Sequence, residues 1–108
     1  MKLKLTVDEK KAKFPRKHSI LGIYDILPDD VDVDMDALAQ QIDDYLMEKW
    51  RSYIETYRIE PVAFGLHKIV AKIDMPEDIV GGTEPVEMGI MDEVPGIQRA
   101  ECGMVSRT

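Results

Sequence analysis

Apolar residues crowd the stretch from Ser19 to Leu27, SILGIYDIL, which Pro28 closes. A short run rich in Ile and Leu predicts a strand buried on much of both faces, and so a central one. An acidic loop follows, after which Met35, Leu38, Ile42 and Tyr45 or Leu46 recur at helical spacing. The helix is expected to begin near Asp34, whose side chain can cap the first amides, and to end near Met47 to Trp50. From Arg51 to Ile59, Tyr, Ile and Thr alternate with charged residues, which suits an edge strand with one solvated face. A bend, Glu60-Pro61-Val62-Ala63-Phe64-Gly65-Leu66, leads into a third strand, His67 to Asp74, with Ile69, Ala71 and Ile73 on one face and Lys68, Val70 and Lys72 on the other. Pro76 and Gly81-Gly82 break the chain. Thr83 then caps a shorter helix with Val86, Ile90 and Val94 on one stripe, and Pro95-Gly96 ends it. In the last run, Ile97 to Val105, Ala100, Cys102 and Met104 alternate towards the core and Arg99 and Glu101 away from it.

Strand, helix, strand, strand, helix, strand is the split βαβ pattern of an α+β, ferredoxin-like sandwich: a four-stranded antiparallel sheet with both helices on one face. This βαββαβ order is complete without residues 1–17, whose removal is expected to leave the fold in place. That basic N-terminal extension is read as solvated or flexible, with two structures open to it: an added strand, because Leu3, Leu5 and Val7 alternate, or a basic arm. The main domain is placed at residues 18–108. The pattern fixes architecture far better than activity, since this fold carries many unrelated ones.

A chain of 108 residues can bury one core without metal or disulfide help. Its single cysteine, Cys102, cannot form an internal disulfide and fits a reducing compartment; no apolar run is long enough to cross a bilayer. The expected location is cytoplasmic. The net charge of −7 hides an asymmetry, for residues 1–18 hold seven basic and two acidic side chains, a balance of +5. The other 90 residues hold seven basic and 19 acidic ones, a balance of −12, which repels phosphate backbones. Direct nucleic-acid binding is therefore not expected, apart from weak RNA contact by the basic tail.

Candidate chemistry is sparse. Pro61 stiffens the approach to the bend and Gly65 relaxes the backbone after it, so Phe64 is either presented outward or folded in as a core anchor. Asp30, Asp32 and Asp34 imitate the start of a calcium loop, but Met35 and Gln41 occupy the positions where glycine and glutamate are required. His18 and His67 show no ligand spacing, and His67, on the side of Ile69 and Ala71, reads as a core or boundary residue. Cys102 on an apolar face reads as core filler. Gly81-Gly82-Thr83 lacks the lysine of a phosphate-binding loop. Trp50, Tyr53 and Tyr57 do not form an RNA-recognition signature. No catalytic residue, cofactor or metal site is expected.

The bend EPVAFGL, followed by Gly81-Gly82-Thr83-Glu84 and then Pro95-Gly96-Ile97-Gln98, together with Val33-Asp34-Met35-Asp36-Ala37-Leu38, resembles the translation elongation factor 1-beta family, above all its short archaeal members. The likeness covers about residues 19–108. It implies a guanine-nucleotide exchange factor, not an enzyme, that promotes GDP release from the GTPase elongation factor 1-alpha. The family pattern implies that Phe64, flanked by Ala63 and Gly65, inserts into the GTPase, and that Arg107 reaches the partner's magnesium site. Arg107 stands where the eukaryotic pattern has lysine, and Thr108 replaces an apolar final residue. The alternative from another class is a ferredoxin-like ligand-sensing or protein-interaction module without exchange activity.

Overall fold

The computed structural model describes residues 3–107; Met1, Lys2 and Thr108, and with Thr108 the departure noted at the chain's last position, lie outside the described residues. The elements in chain order are α1 (Val7–Lys13), β1 (Ser19–Pro28), α2 (Met35–Trp50), β2 (Tyr53–Ala63), β3 (Leu66–Pro76), α3 (Glu77–Val80), α4 (Glu84–Glu93) and β4 (Ile97–Arg107). The four strands form one sheet in the order β2-β3-β1-β4, with antiparallel neighbours throughout. The fold is the expected ferredoxin-like α+β sandwich. β1 is central because Ile20, Tyr24 and Ile26 have no exposed surface to spare, each being 1% accessible or less.

Leu38, Ala39, Ile42 and Leu46 of α2 and Val86 and Ile90 of α4 close over the same sheet face and meet Ile69, Ala71, Ile73 and Met75 of β3 there. Asp34 caps α2 through the Ala37 amide at 3.1 Å. The helix stops where Arg51 enters the left-handed region (φ 51°) and the Ser52 amide turns back to the Leu46 carbonyl at 3.1 Å. The two helices approach closely at Gly89, where a Cβ would lie 2.1 Å from the Tyr45 hydroxyl. That hydroxyl accepts from Trp50 Nε1 at 2.9 Å and donates to Glu93 at 3.4 Å.

The N-terminal segment forms a helix and not an added strand. Thr6 accepts from the Glu9 amide at 3.2 Å while the Glu9 carboxylate takes the Thr6 amide at 2.9 Å, a reciprocal cap that outweighs the alternation of Leu3, Leu5 and Val7. These hydrogen bonds, the backbone one first, hold the Glu9 carboxyl below its usual range. The helix is fastened at the β2 edge. Lys10, 1% exposed, lies 2.7 Å from Asp43 and donates to the Ile54 carbonyl at 3.0 Å, while Asp43 accepts the Ile54 amide at 2.8 Å. Both backbone groups of Ile54 on this edge strand are thereby occupied, which removes a point of strand addition. Arg16 reinforces the attachment by pairing with Asp74 at 3.3 Å and stacking over Tyr53 at 4.9 Å.

Three expectations are corrected. Met104 is 71% exposed rather than in the core, because Ile23 pairs with Met104 and Tyr24 with Cys102, leaving Gly103 as the extra residue of a bulge. The Glu87 carboxylate takes the Cys102 amide at 2.6 Å beside that bulge. His67 is exposed and not a boundary residue, since the β2–β3 hairpin runs past the helical layer. Thr83 precedes α4 but does not cap it with its side chain; its carbonyl instead accepts from the Tyr24 hydroxyl at 3.1 Å. The one-turn helix α3 has too few residues to show a period.

Candidate functional site

At the far end of the β2–β3 hairpin, Ala63 pairs with Leu66 and only Phe64 and Gly65 remain in the turn. Their φ angles are 51° and 80°. Two positive values in succession mark the tight hairpin turn whose backbone twist matches that of the flanking strands. Gly65 adopts such a conformation freely, but at Phe64 it costs about 1–2 kcal/mol through contact between Cβ and the backbone. Pro61 is tolerated just before the turn because β2 is an edge strand that can spare an amide.

Phe64 recovers nothing for the fold in return. Its relative exposure is 102%, so the whole ring faces solvent, and the reading of Phe64 as a core anchor is excluded. An aromatic side chain that is both fully solvated and held in a strained conformation contributes no packing energy within its own chain. Ala63 and Gly65 are exposed on either side of it. Next to the turn lies a shallow cleft of about 380 Å³ bordered by Pro28 to Val31, Val62 and Gln98.

Arg107 occupies the opposite end of the sheet. It pairs with Ile20 at the start of β1, and its guanidinium, 63% exposed, forms an ion pair with Glu77 at the start of α3. A cleft of about 550 Å³ opens beside Glu77, lined among others by Phe14, Arg16, His18, Arg51 and Pro76. Six steps along β1 lead from the Arg107 pairing at Ile20 to Ile26, and a further five, three along β3 and two through the turn, lead from its partner Ile69 to Phe64. At the usual strand rise this is about 35 Å. The structure therefore does not bring Phe64 and Arg107 together.

The remaining candidates have structural surroundings. Asp30 takes the Asp32 amide at 3.3 Å and Asp34 caps α2, and among the described residues no cluster of His, Cys, Asp or Glu is placed to hold a metal ion. The half-buried Cys102 thiol is pushed up by desolvation and then by the Glu87 carboxylate, the reverse of what a nucleophile needs. The Tyr24 phenol is driven strongly upward by burial, with smaller effects from Cys102 and Glu87, and donates to the Thr83 carbonyl at 3.1 Å. Among the described residues no helix is long and apolar enough to cross a membrane. Sequence reasoning missed Lys10 and Asp43, and the one local signal for them was the Thr6 to Glu9 cap that makes the helix carrying Lys10.

The family described as the EF-1 guanine nucleotide exchange domain matches residues 21–107. The chain is 39% identical over 88 residues to a protein named elongation factor 1-beta from Staphylothermus marinus, an alignment covering 82% of this chain and 94% of that one. It is 38% identical over 85 residues to the protein of that name from Aeropyrum pernix (79% and 91% covered), and 35% identical over 88 to that of Desulfurococcus amylolyticus (82% and 94%). Both the Phe64 turn and Arg107 fall inside the matched residues, whereas α1 falls before them. These likenesses favour nucleotide exchange over a ligand-sensing module.

Proposed function

The chain belongs to the family of EF-1 guanine nucleotide exchange domains and is a guanine-nucleotide exchange factor promoting GDP release from elongation factor 1-alpha in translation elongation; we propose that it acts through two contacts at opposite ends of its sheet. Phe64 is the anchor at one end. The observation that carries this is its complete exposure in a left-handed turn, a conformation that serves only what lies outside the chain. Buried in a partner pocket, such a ring contributes about 2 kcal/mol or more. Ala63 and Gly65 shape the turn: the first closes the strand pairing, and the second accepts the φ of 80° that lets Phe64 point away.

Arg107 supplies the other contact. Magnesium neutralises the nucleotide phosphates, so a guanidinium moved into its neighbourhood repels the ion and competes for its oxygen ligands. Arg107 must exchange Glu77 for those oxygens, a small cost because both side chains of that surface pair are solvated. The factor binds nucleotide-free GTPase better than the GDP-bound form, and by linkage it weakens GDP binding to the same extent.

On this reading the protein is not an enzyme acting on a substrate of its own, works in the cytoplasm and needs neither cofactor nor nucleic acid. Residues 18–108 are the exchange domain, and the described part of the N-terminal extension, residues 3–17, packs on it. The test is release of labelled GDP from purified elongation factor 1-alpha with and without this chain. Acceleration at substoichiometric amounts of the factor supports the function, and an unchanged rate rejects it.

A further inference from the structure

Phe64 is not alone at its end of the molecule. Val31 is 55% exposed and Val62 49% exposed, and both border the same cleft of about 380 Å³ as Phe64. Val31 comes from the loop between β1 and α2, and Val62 from the last turn of β2 before the hairpin bend. Three large apolar side chains from two separate segments thus share one cleft beside the bend, whereas scattered single apolar residues on a surface need no explanation.

The charged residues lining this cleft have one sign, while on its other side Val62 also borders a smaller cleft where Lys68 and Arg99 stand beside Asp25 and Glu101. Asp29 and Asp30 border the cleft and are exposed, and Asp32 follows on the same loop. The loop is held in shape from within, the Asp29 amide donating to the Gly96 carbonyl at 3.0 Å and the Asp32 amide to Asp30 at 3.3 Å. An apolar centre with an acidic rim fits a protein surface that offers an apolar pocket edged by Lys or Arg. It does not fit RNA, whose phosphates the same carboxylates repel.

We infer that Val31, Val62 and Phe64 form one docking patch for the GTPase, with Asp29 and Asp30 steering it onto a basic-edged pocket of that partner. The inference rests on the exchange reading above and adds to it the loop between β1 and α2, which would be a second element of the interface. Patches of this kind obtain their affinity from a few apolar anchors at the centre and their association rate from rim charges.

The test uses the full chain and measures labelled-GDP release from elongation factor 1-alpha over a range of factor concentrations. Val31→Ser and Val62→Ser are each expected to raise the KM for the GTPase about five- to tenfold, with kcat and melting temperature unchanged. Asp29→Asn combined with Asp30→Asn is expected to slow association about threefold or more at roughly 50 mM salt and to match wild type at roughly 500 mM, where the charges are screened. If both valine variants keep the wild-type KM while Phe64→Ala raises it, the patch is overturned and the anchor role of Phe64 stands. Wild-type protein without any effect on GDP release would instead reject the exchange reading itself, and this inference with it. An Asp29 and Asp30 variant that associates as fast as wild type at low salt overturns the steering role.

Discussion

Phe64 and Arg107 stand at opposite ends of one sheet, about 35 Å apart along the strands. Each can therefore be removed without disturbing the other. Mutational effects at such a distance add to within about 0.5 kcal/mol when the two side chains touch no common residue. The double variant Phe64→Ala/Arg107→Ala is expected to lose exchange by the product of the two single losses. A loss no greater than that of one single variant would show that the two residues serve a single contact.

Arg107 is tied to the partner's magnesium in a way that can be isolated. Arg107→Ala is expected to slow GDP release most when free Mg²⁺ is abundant and much less when the ion is chelated. Release rates at the two magnesium levels check this. Equal slowing at both would leave Arg107 an ordinary charged contact.

Lys10 and Asp43 make the N-terminal helix part of the fold. Lys10→Met leaves the Asp43 carboxylate, with 0% exposure, next to an apolar group, and the loss of one partner of such a pair costs about 3–5 kcal/mol. Both Lys10→Met and the deletion of residues 1–17 take the donor from the Ile54 carbonyl at the β2 edge, and the deletion opens Asp43 to water but loses the packing of α1 as well. Urea unfolding should show both variants destabilised by similar amounts. A truncated chain as stable as the whole one would restore the view of the extension as dispensable.

Alkaline pH should expose the tyrosines. Burial, and then the Asp74 carboxylate, pushes Tyr53 up to about 12, and burial with Asp36 pushes Tyr57 up to about 12; Tyr24 and Tyr45 are raised too, so all four tyrosines move upward. Because the folded values exceed the ordinary value near 10, the stability they contribute is fully present below pH 10 and is lost as pH rises through the folded values. Phenolate absorbance is expected to lag behind a free tyrosine and to rise together with loss of structure. A normal titration near pH 10 in the folded chain would contradict this.

Gly89→Ala drives a Cβ against the Tyr45 hydroxyl at 2.1 Å and should cost about 1–3 kcal/mol. Tyr45→Phe removes that oxygen and should recover part of the loss in the same protein, despite leaving Trp50 Nε1 without its acceptor. Melting temperatures of the single and double variants measure it. No recovery would mean that the Cα itself, not the hydroxyl, sets the spacing of α2 and α4.

The parts of the fold that the chain announces are those governed by near neighbours. The cap at Asp34, the apolar stripe of α2 and the alternation of β3 each depend on residues within a few positions, and they fall where expected. Met104 depends on a bulge that only the pairing with β1 reveals, and the attachment of Lys10 on Asp43 joins segments with no local signal for each other. The reciprocal cap between Thr6 and Glu9 goes unread, because the alternation of Leu3, Leu5 and Val7 argues for a strand there. For the site, Pro61 and Gly65 mark a bend around Phe64, while its complete exposure emerges only once the hairpin extends beyond the helices. The roles of Phe64 and Arg107 depend on a second molecule, which no pattern within this chain describes.

The central claim is that Phe64 is spent on a partner and not on the fold. Labelled-GDP release from elongation factor 1-alpha, measured with wild type and Phe64→Ala alongside their melting temperatures, tests it directly. Catalytic efficiency of exchange should fall about 30-fold, the equivalent of a 2 kcal/mol anchor, with the melting temperature unchanged, since alanine keeps the Cβ that strains the turn and the lost ring packs on nothing. A variant that exchanges as well as wild type, or one that loses activity only because it melts several degrees earlier, would contradict the account.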